Sequence, residues 1–115
     1  MLRQGDVVLV VLLDPHGQNP KSRPAVVVSA TKDIRPSGSI VVAAISTRFD
    51  AKALPPHHIL VPSDPAGHRI TGLRRPSVVK CDWLRVVPCA DAKPIGRLPG
   101  GHLLAVMEQI ANLSS

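Results

Sequence analysis

No apolar stretch in this 115-residue sequence runs past seven residues, because twelve prolines and eight glycines cut the chain into short pieces. Proline removes a backbone donor and clashes inside a helix, so such a chain builds few long helices. Between the breaks lie runs rich in Val and Ile: Val7–Leu13, Ala25–Ser29, Ile40–Ile45, Ile59–Val61 and Val78–Val87. β-Branched residues in runs this short read as buried strands. The spacers Asp14–Arg23, Phe49–Pro56 and Ser63–Gly72 carry the Pro, Gly, Asn and Asp that turns require. Strands at short intervals with turns between them point to a small barrel or sandwich rather than βαβ units.

The period changes at the C-terminus. Leu103, Val106, Met107, Ile110 and Leu113 recur at three- and four-residue steps, which places them on one face of a helix. Pro99 suits the first turn of that helix. The expected fold is mainly β with a C-terminal helix laid across the barrel to complete its core. The length fits one domain over residues 1–115.

The seven-residue run Val7–Leu13 is far short of the ~18–20 residues that span a bilayer. Asp6 before it and Asp14-Pro15-His16-Gly17 after it also make a poor signal-peptide core. The reading is therefore a cytoplasmic protein with no membrane segment. Fourteen Lys and Arg against eight Asp and Glu leave a net charge of +6. That excess suits a polyanionic partner, or a plain solvated basic surface. Phe49 and Trp83 are the only Phe, Tyr or Trp residues, which argues against modules that stack successive RNA bases on aromatic platforms. Cys81 and Cys89 lack the CxxC spacing of a zinc site and read as reduced, buried thiols.

Six segments in order then carry a resemblance. Gly5-Asp6-Val7-Val8 opens the first strand, and Gly17-Gln18 leads into Lys21-Ser22-Arg23-Pro24-Ala25-Val26-Val27-Val28-Ser29. Val42-Ala43-Ala44-Ile45-Ser46-Thr47, Gly72-Leu73, Ser77-Val78-Val79-Lys80-Cys81-Asp82 and Ile95-Gly96-Arg97-Leu98 follow before the terminal helix. This order and spacing resembles the MazF/PemK family of toxins from bacterial toxin–antitoxin modules. The resemblance implies an SH3-like barrel of the CcdB/MazF/PemK type, assembled as a homodimer. It also implies an endoribonuclease that cuts single-stranded RNA at short sequences with no metal or other cofactor. The implied partner is an acidic, MazE-like antitoxin lying across the toxin dimer.

The same resemblance assigns roles to residues. Arg23 matches the family's catalytic Arg, and a guanidinium fork suits a phosphate. Ser46 stands where relatives carry a catalytic Thr, and its hydroxyl can donate to the scissile phosphate; Thr47 follows as a neighbouring contact. Lys80-Cys81-Asp82 matches the segment that bears a basic and an acidic residue beside the groove, with Asp82 as candidate base and Lys80 as phosphate contact. Being two apart on a strand, Lys80 and Asp82 are expected on one face. Gln18, Asn19, Lys21 and Arg48 are candidates for holding phosphates or reading bases, with the Asp14–Ser22 and Phe49–Pro56 loops as groove walls. The basic run Arg69 to Arg75 is a further phosphate contact or solvated surface.

The histidines receive no role. His16 precedes Gly17 where relatives carry a His after the Gly, and reads as a mobile loop residue. His57 and His58 are expected on opposite faces of a strand and so unable to share a metal. His68 and His102 have no evident partner. Two other readings stay open: a non-catalytic barrel, including a CcdB-type gyrase binder, and a degenerate toxin that pairs with an antitoxin but cuts nothing.

Overall fold

The computed structural model describes residues 1–114. The expected domain boundary at Ser115 lies one residue outside them. Six strands, β1 (Asp6–Leu12), β2 (Lys21–Val27), β3 (Ser39–Ser46), β4 (His58–Val61), β5 (Ser77–Pro88) and β6 (Lys93–Arg97), precede one helix, α1 (Gly100–Leu113). All strand pairs are antiparallel, in the order β4-β5-β3-β2-β1-β6, and the sheet curls into a half-barrel. The expected class, mainly β with a C-terminal helix in a small SH3-like barrel, is the observed one.

Two apolar clusters sit on the two sides of this sheet. The first gathers Val8, Val10 and Leu12 of β1 with Ala25 and Val27, Ile40, Val42 and Ala44, Trp83 and Val87. The second gathers Val7, Val26, Ala43, Ile45, Val79 and Cys81, and Val106 of α1 closes over it. Residues of β1, β2 and β3 alternate between the clusters, as the two-residue period of a strand requires. Leu103, Met107 and Ile110 pack beside Val106, so the apolar helix face lies where its spacing put it. Leu113 is the exception, at 49% exposed.

β5 departs from simple alternation. Ala43 pairs with Leu84, but Ile45 pairs with Val79, so a step of two along β3 is matched by a step of five along β5. Three extra residues bulge out of the ladder, and the strand bends there. Val79 and Cys81, before the bend, serve the second cluster; Trp83 and Val87, beyond it, serve the first. One strand thus lines both cores and forms the corner of the half-barrel.

β6 has no counterpart among the expected strands. Its sequence, Lys-Pro-Ile-Gly-Arg, holds no apolar run, and it exists because β1 supplies a free edge to pair with. Gly96 permits the contact beyond: a Cβ there would collide with the Ile70 and Thr71 carbonyls. Thr71, fully buried, donates from Oγ1 to the Pro62 carbonyl at 2.8 Å and anchors that loop. Its neighbour His68 accepts the Ile70 and Thr71 amides at Nδ1, each at 3.2 Å, which gives this histidine a structural role the sequence did not reveal.

Both cysteines are free and buried, as expected. The Cys81 thiol donates to the Val106 carbonyl at 3.8 Å, tying the bend of β5 to α1. Burial, and then the charge of Asp82, push this thiol up to about 11. Since the thiolate is the nucleophile, Cys81 in the folded protein should resist alkylation at pH 8 and react once urea unfolds it. Rapid labelling of Cys81 in the native state, read by mass spectrometry, would contradict this packing.

Candidate functional site

The β1–β2 connection is held by one side chain. Asp14 accepts from the His16 and Gln18 amides, both at 2.9 Å, and from the Asn19 side-chain amide at 2.8 Å. The Gln18 amide and the Asn19 amide hold its carboxyl below the ordinary carboxylate value. Arg85 of β5 donates to the Asp14 carbonyl at 2.8 Å and docks the loop on the sheet. His16 is therefore part of a built turn, with its backbone bonded and its side chain exposed.

Against that loop lies a cavity of about 400 Å³ lined by Asp14, Pro15, Asn19, Lys21, Arg23, Ser46, Arg48, Lys80 and Trp83. Arg23, near the start of β2, and Ser46, at the end of β3, lie on neighbouring strands, and the bend in β5 brings Lys80 and Trp83 in from the other side. The Arg23 guanidinium stacks on the Trp83 ring, its carbon 5.1 Å from the ring centroid. Arg23 Nε and Trp83 Nε1 are both buried, and neither has a hydrogen-bond partner. Buried donors are rarely left that way unless a ligand completes them.

Ser46 Oγ accepts the Arg48 amide at 3.1 Å and keeps its own proton free to donate. A second hollow, lined by Lys21, Ser22, Arg23, Pro24, Ile45, Ser46, Thr47 and Arg48, continues the first over the strand ends. Of these two hollows Thr47 lines only the second, and Lys21 and Arg48 are exposed at the rim of both. Among the described residues no Lys or Arg stands within ion-pair distance of a carboxylate; the ion contacts that form involve histidine. The positive face is thus not neutralised from within.

The structure brings Arg23, Ser46, Lys21, Arg48 and Lys80 together, with Thr47 beside them. It does not bring Gln18, whose side chain is exposed and lines neither hollow. The Phe49–Pro56 loop, expected as a wall, contributes no lining residue, whereas the Asp14–Ser22 loop does. Asn19 lines the cavity, but its side chain is already bonded to Asp14. Arg74 and Arg75 line a separate hollow with Leu9, Pro24, Thr47 and Ile95. Trp83 is the functional residue that sequence reasoning missed. On a straight strand it would face away from Lys80, and only the bulge gives the two one cavity.

Asp82 stands apart from this cavity. It is absent from the cavity lining, and its half-exposed carboxylate faces two imidazoles: His57 Nε2 at 3.5 Å and His58 Nε2 at 3.7 Å. His57 and His58 do not splay to opposite sides either. Their rings meet edge to face, centroids 4.6 Å apart at 77°. The reason is that β4 begins at His58; His57 belongs to the preceding turn, where strand alternation does not apply. Burial, then the neighbouring His57, pull the His58 imidazole below its ordinary value.

Residues 3–114 match the family described as PemK-like, MazF-like toxin of type II toxin–antitoxin system. The chain belongs to this family. Solved MazF structures share its fold. MazF from Deinococcus radiodurans superposes with a TM-score of 0.73 at 19% identity, covering 98% of this chain and 96% of that one. The Mycobacterium tuberculosis toxin MazF-mt6 gives 0.64 at 25% identity, covering 92% and 93%. A mycobacterial endoribonuclease in complex with its cognate antitoxin gives 0.72 at 18% identity, covering 97% and 93%. No curated protein matches the sequence significantly. This PemK/MazF-like toxin has, among its described residues, no helix long and apolar enough to cross a membrane.

Proposed function

We propose that this toxin is an endoribonuclease that cuts single-stranded RNA without a metal ion. The observation that carries the reading is the buried, unpartnered Arg23 Nε, seated on Trp83 at the back of a cavity ringed by Lys21, Arg48 and Lys80. Four cations without a carboxylate partner around one space fit a phosphodiester.

In the reaction proposed, the 2′-oxygen of the substrate bonds to the adjacent phosphorus as the bond to the 5′-oxygen breaks. The proton lost from the 2′-hydroxyl is balanced by one gained at the leaving oxygen, giving a 2′,3′-cyclic phosphate and a 5′-hydroxyl. Arg23 meets the phosphate oxygens with Nε and a terminal nitrogen, stabilising the charge that grows on them. Ser46 donates its free hydroxyl proton to the same phosphate, and Lys80, Lys21 and Arg48 hold the flanking ones. Thr47 contacts the chain where it leaves over the strand ends. Asp14 is the one carboxylate in the cavity lining, but its bonds to the loop keep it a weak base. Charge stabilisation thus carries more of the catalysis than proton abstraction does. Asp82, outside the lining, is left out of this machinery.

The acidic antitoxin and the homodimer belong to the same proposal. A mycobacterial structural relative is seen with its cognate antitoxin, and a net charge of +6, with no Lys or Arg paired to a carboxylate among the described residues, fits an acidic chain.

The test is a long defined RNA incubated with the purified toxin in EDTA, each cut mapped by primer extension. Discrete cuts at a short shared motif are expected. Intact RNA from folded protein would overturn the reading in favour of a binding module. Ser46 makes a finer prediction: Ser46→Thr should cleave near the parent rate, and Ser46→Ala roughly tenfold or more slowly, the scale of a lost hydrogen bond to a charged group. Equal rates in all three would remove the hydroxyl from the mechanism.

A further inference from the structure

We propose that His57, His58 and Asp82 form a binding site for one divalent transition-metal ion, with zinc the best fit to the ligand set. One ligand atom from each residue lies within 4.8 Å of the other two. His57 Nε2 lies 3.5 Å from Asp82 Oδ2 and His58 Nε2 lies 3.7 Å from Asp82 Oδ1, so each imidazole faces its own carboxylate oxygen. Tetrahedral zinc sets neighbouring ligands ~3.4 Å apart at bond lengths of about 2.0–2.2 Å, so a turn of the carboxylate that brings one oxygen between the two rings closes the set. Two imidazoles and a carboxylate are a zinc-type donor set, whereas magnesium and calcium prefer oxygen ligands alone.

The backbone fixes this arrangement before any ion arrives. The Cys81 amide donates to the His57 carbonyl at 3.0 Å, and the His58 amide to the Pro55 carbonyl at 3.0 Å. His58 also sits in register with Lys80. Closing the site therefore asks only for small side-chain rotations. Asp82 supplies a negative charge that offsets the nearby Lys80, and its 51% exposure leaves the fourth position open to water or an anion. The ion would clamp the start of β4 to the bend of β5, one strand position from a cavity residue. It has no part in the cleavage chemistry proposed above.

The experiment titrates the full chain, stripped with EDTA and dialysed, with zinc chloride by calorimetry, and with cobalt chloride by visible absorption. One zinc per chain with micromolar affinity, and the intense bands of four-coordinate cobalt, are expected. Asp82→Asn, an exposed and conservative change, should weaken binding roughly a hundredfold, since even ligand-supporting groups cost that much when lost. His58→Gln should do the same, while His16→Ala and His102→Ala should bind as the parent does. Absence of zinc heat, octahedral cobalt spectra, or unchanged affinity in Asp82→Asn would overturn the site and leave a histidine–carboxylate contact only. RNA cleavage by Asp82→Asn in EDTA is expected at the parent rate, which separates this inference from the proposed ribonuclease activity.

Discussion

Arg23→Ala yields a folded toxin whose RNA cleavage falls by about 10²–10³, the loss seen when one preorganised donor to a developing anion is removed. The size of the effect follows from burial. Arg23 Nε is buried and has no protein partner, so a phosphate oxygen entering the cavity meets a donor that no side chain or carbonyl already occupies. Trp83 holds the guanidinium plane in place, so little ordering is left to pay for on binding. Arg23→Lys should recover only part of the rate: it keeps a charge but loses the planar fork and the donor at Nε. The measurement is the single-turnover rate on a defined RNA in EDTA, with circular dichroism to confirm the fold. Cleavage by Arg23→Ala at more than a tenth of the parent rate would remove Arg23 from the centre of the mechanism.

Trp83→Ala should be the most damaging single change to stability at the site. The ring is 7% exposed, packs in the first apolar cluster and supports Arg23 from below. Emptying a buried aromatic position costs about 3–5 kcal/mol, a large share of what holds a small domain together. Trp83→Phe keeps most of the burial and a ring face for Arg23, and loses only an indole N–H that has no protein partner. Urea midpoints should therefore rank parent, Phe and Ala in that order, with the largest gap before Ala. Cleavage should follow the same ranking. If Trp83→Phe were stable yet as inactive as Arg23→Ala, the indole N–H itself would be a substrate contact.

Why the sequence revealed some of this and hid the rest comes down to range. Val7–Leu13, Ile40–Ile45 and the 103/106/107/110 helix face declare themselves because burial and local period agree there. Arg23 and Ser46 were legible through their strand ends and the family pattern around them. β6 was not, because its pairing depends on an edge offered ninety residues away rather than on its own side chains. Asp82 was misplaced for a different reason. The alternation that put it beside Lys80 holds only on an unbroken strand, and both residues fall inside the bulge between Val79 and Leu84. The two histidines failed similarly, because the strand that would have separated them starts one residue late.

The bend in β5 has a consequence for how this segment can change over evolutionary time. Residues 79, 81 and 83 are all buried, so across the bend itself the burial keeps an even two-residue rhythm. That rhythm is nonetheless handed from one core to the other between Cys81 and Trp83. An odd count of extra residues is what makes the handover possible, because each single step reverses the side of the sheet a residue meets. Losing or gaining one residue there would send Trp83 under the helix and turn its neighbour toward Arg23, with every residue identity preserved. Substitutions in this corner are matters of degree, but its length is a parity condition, and only even changes keep the cavity assembled.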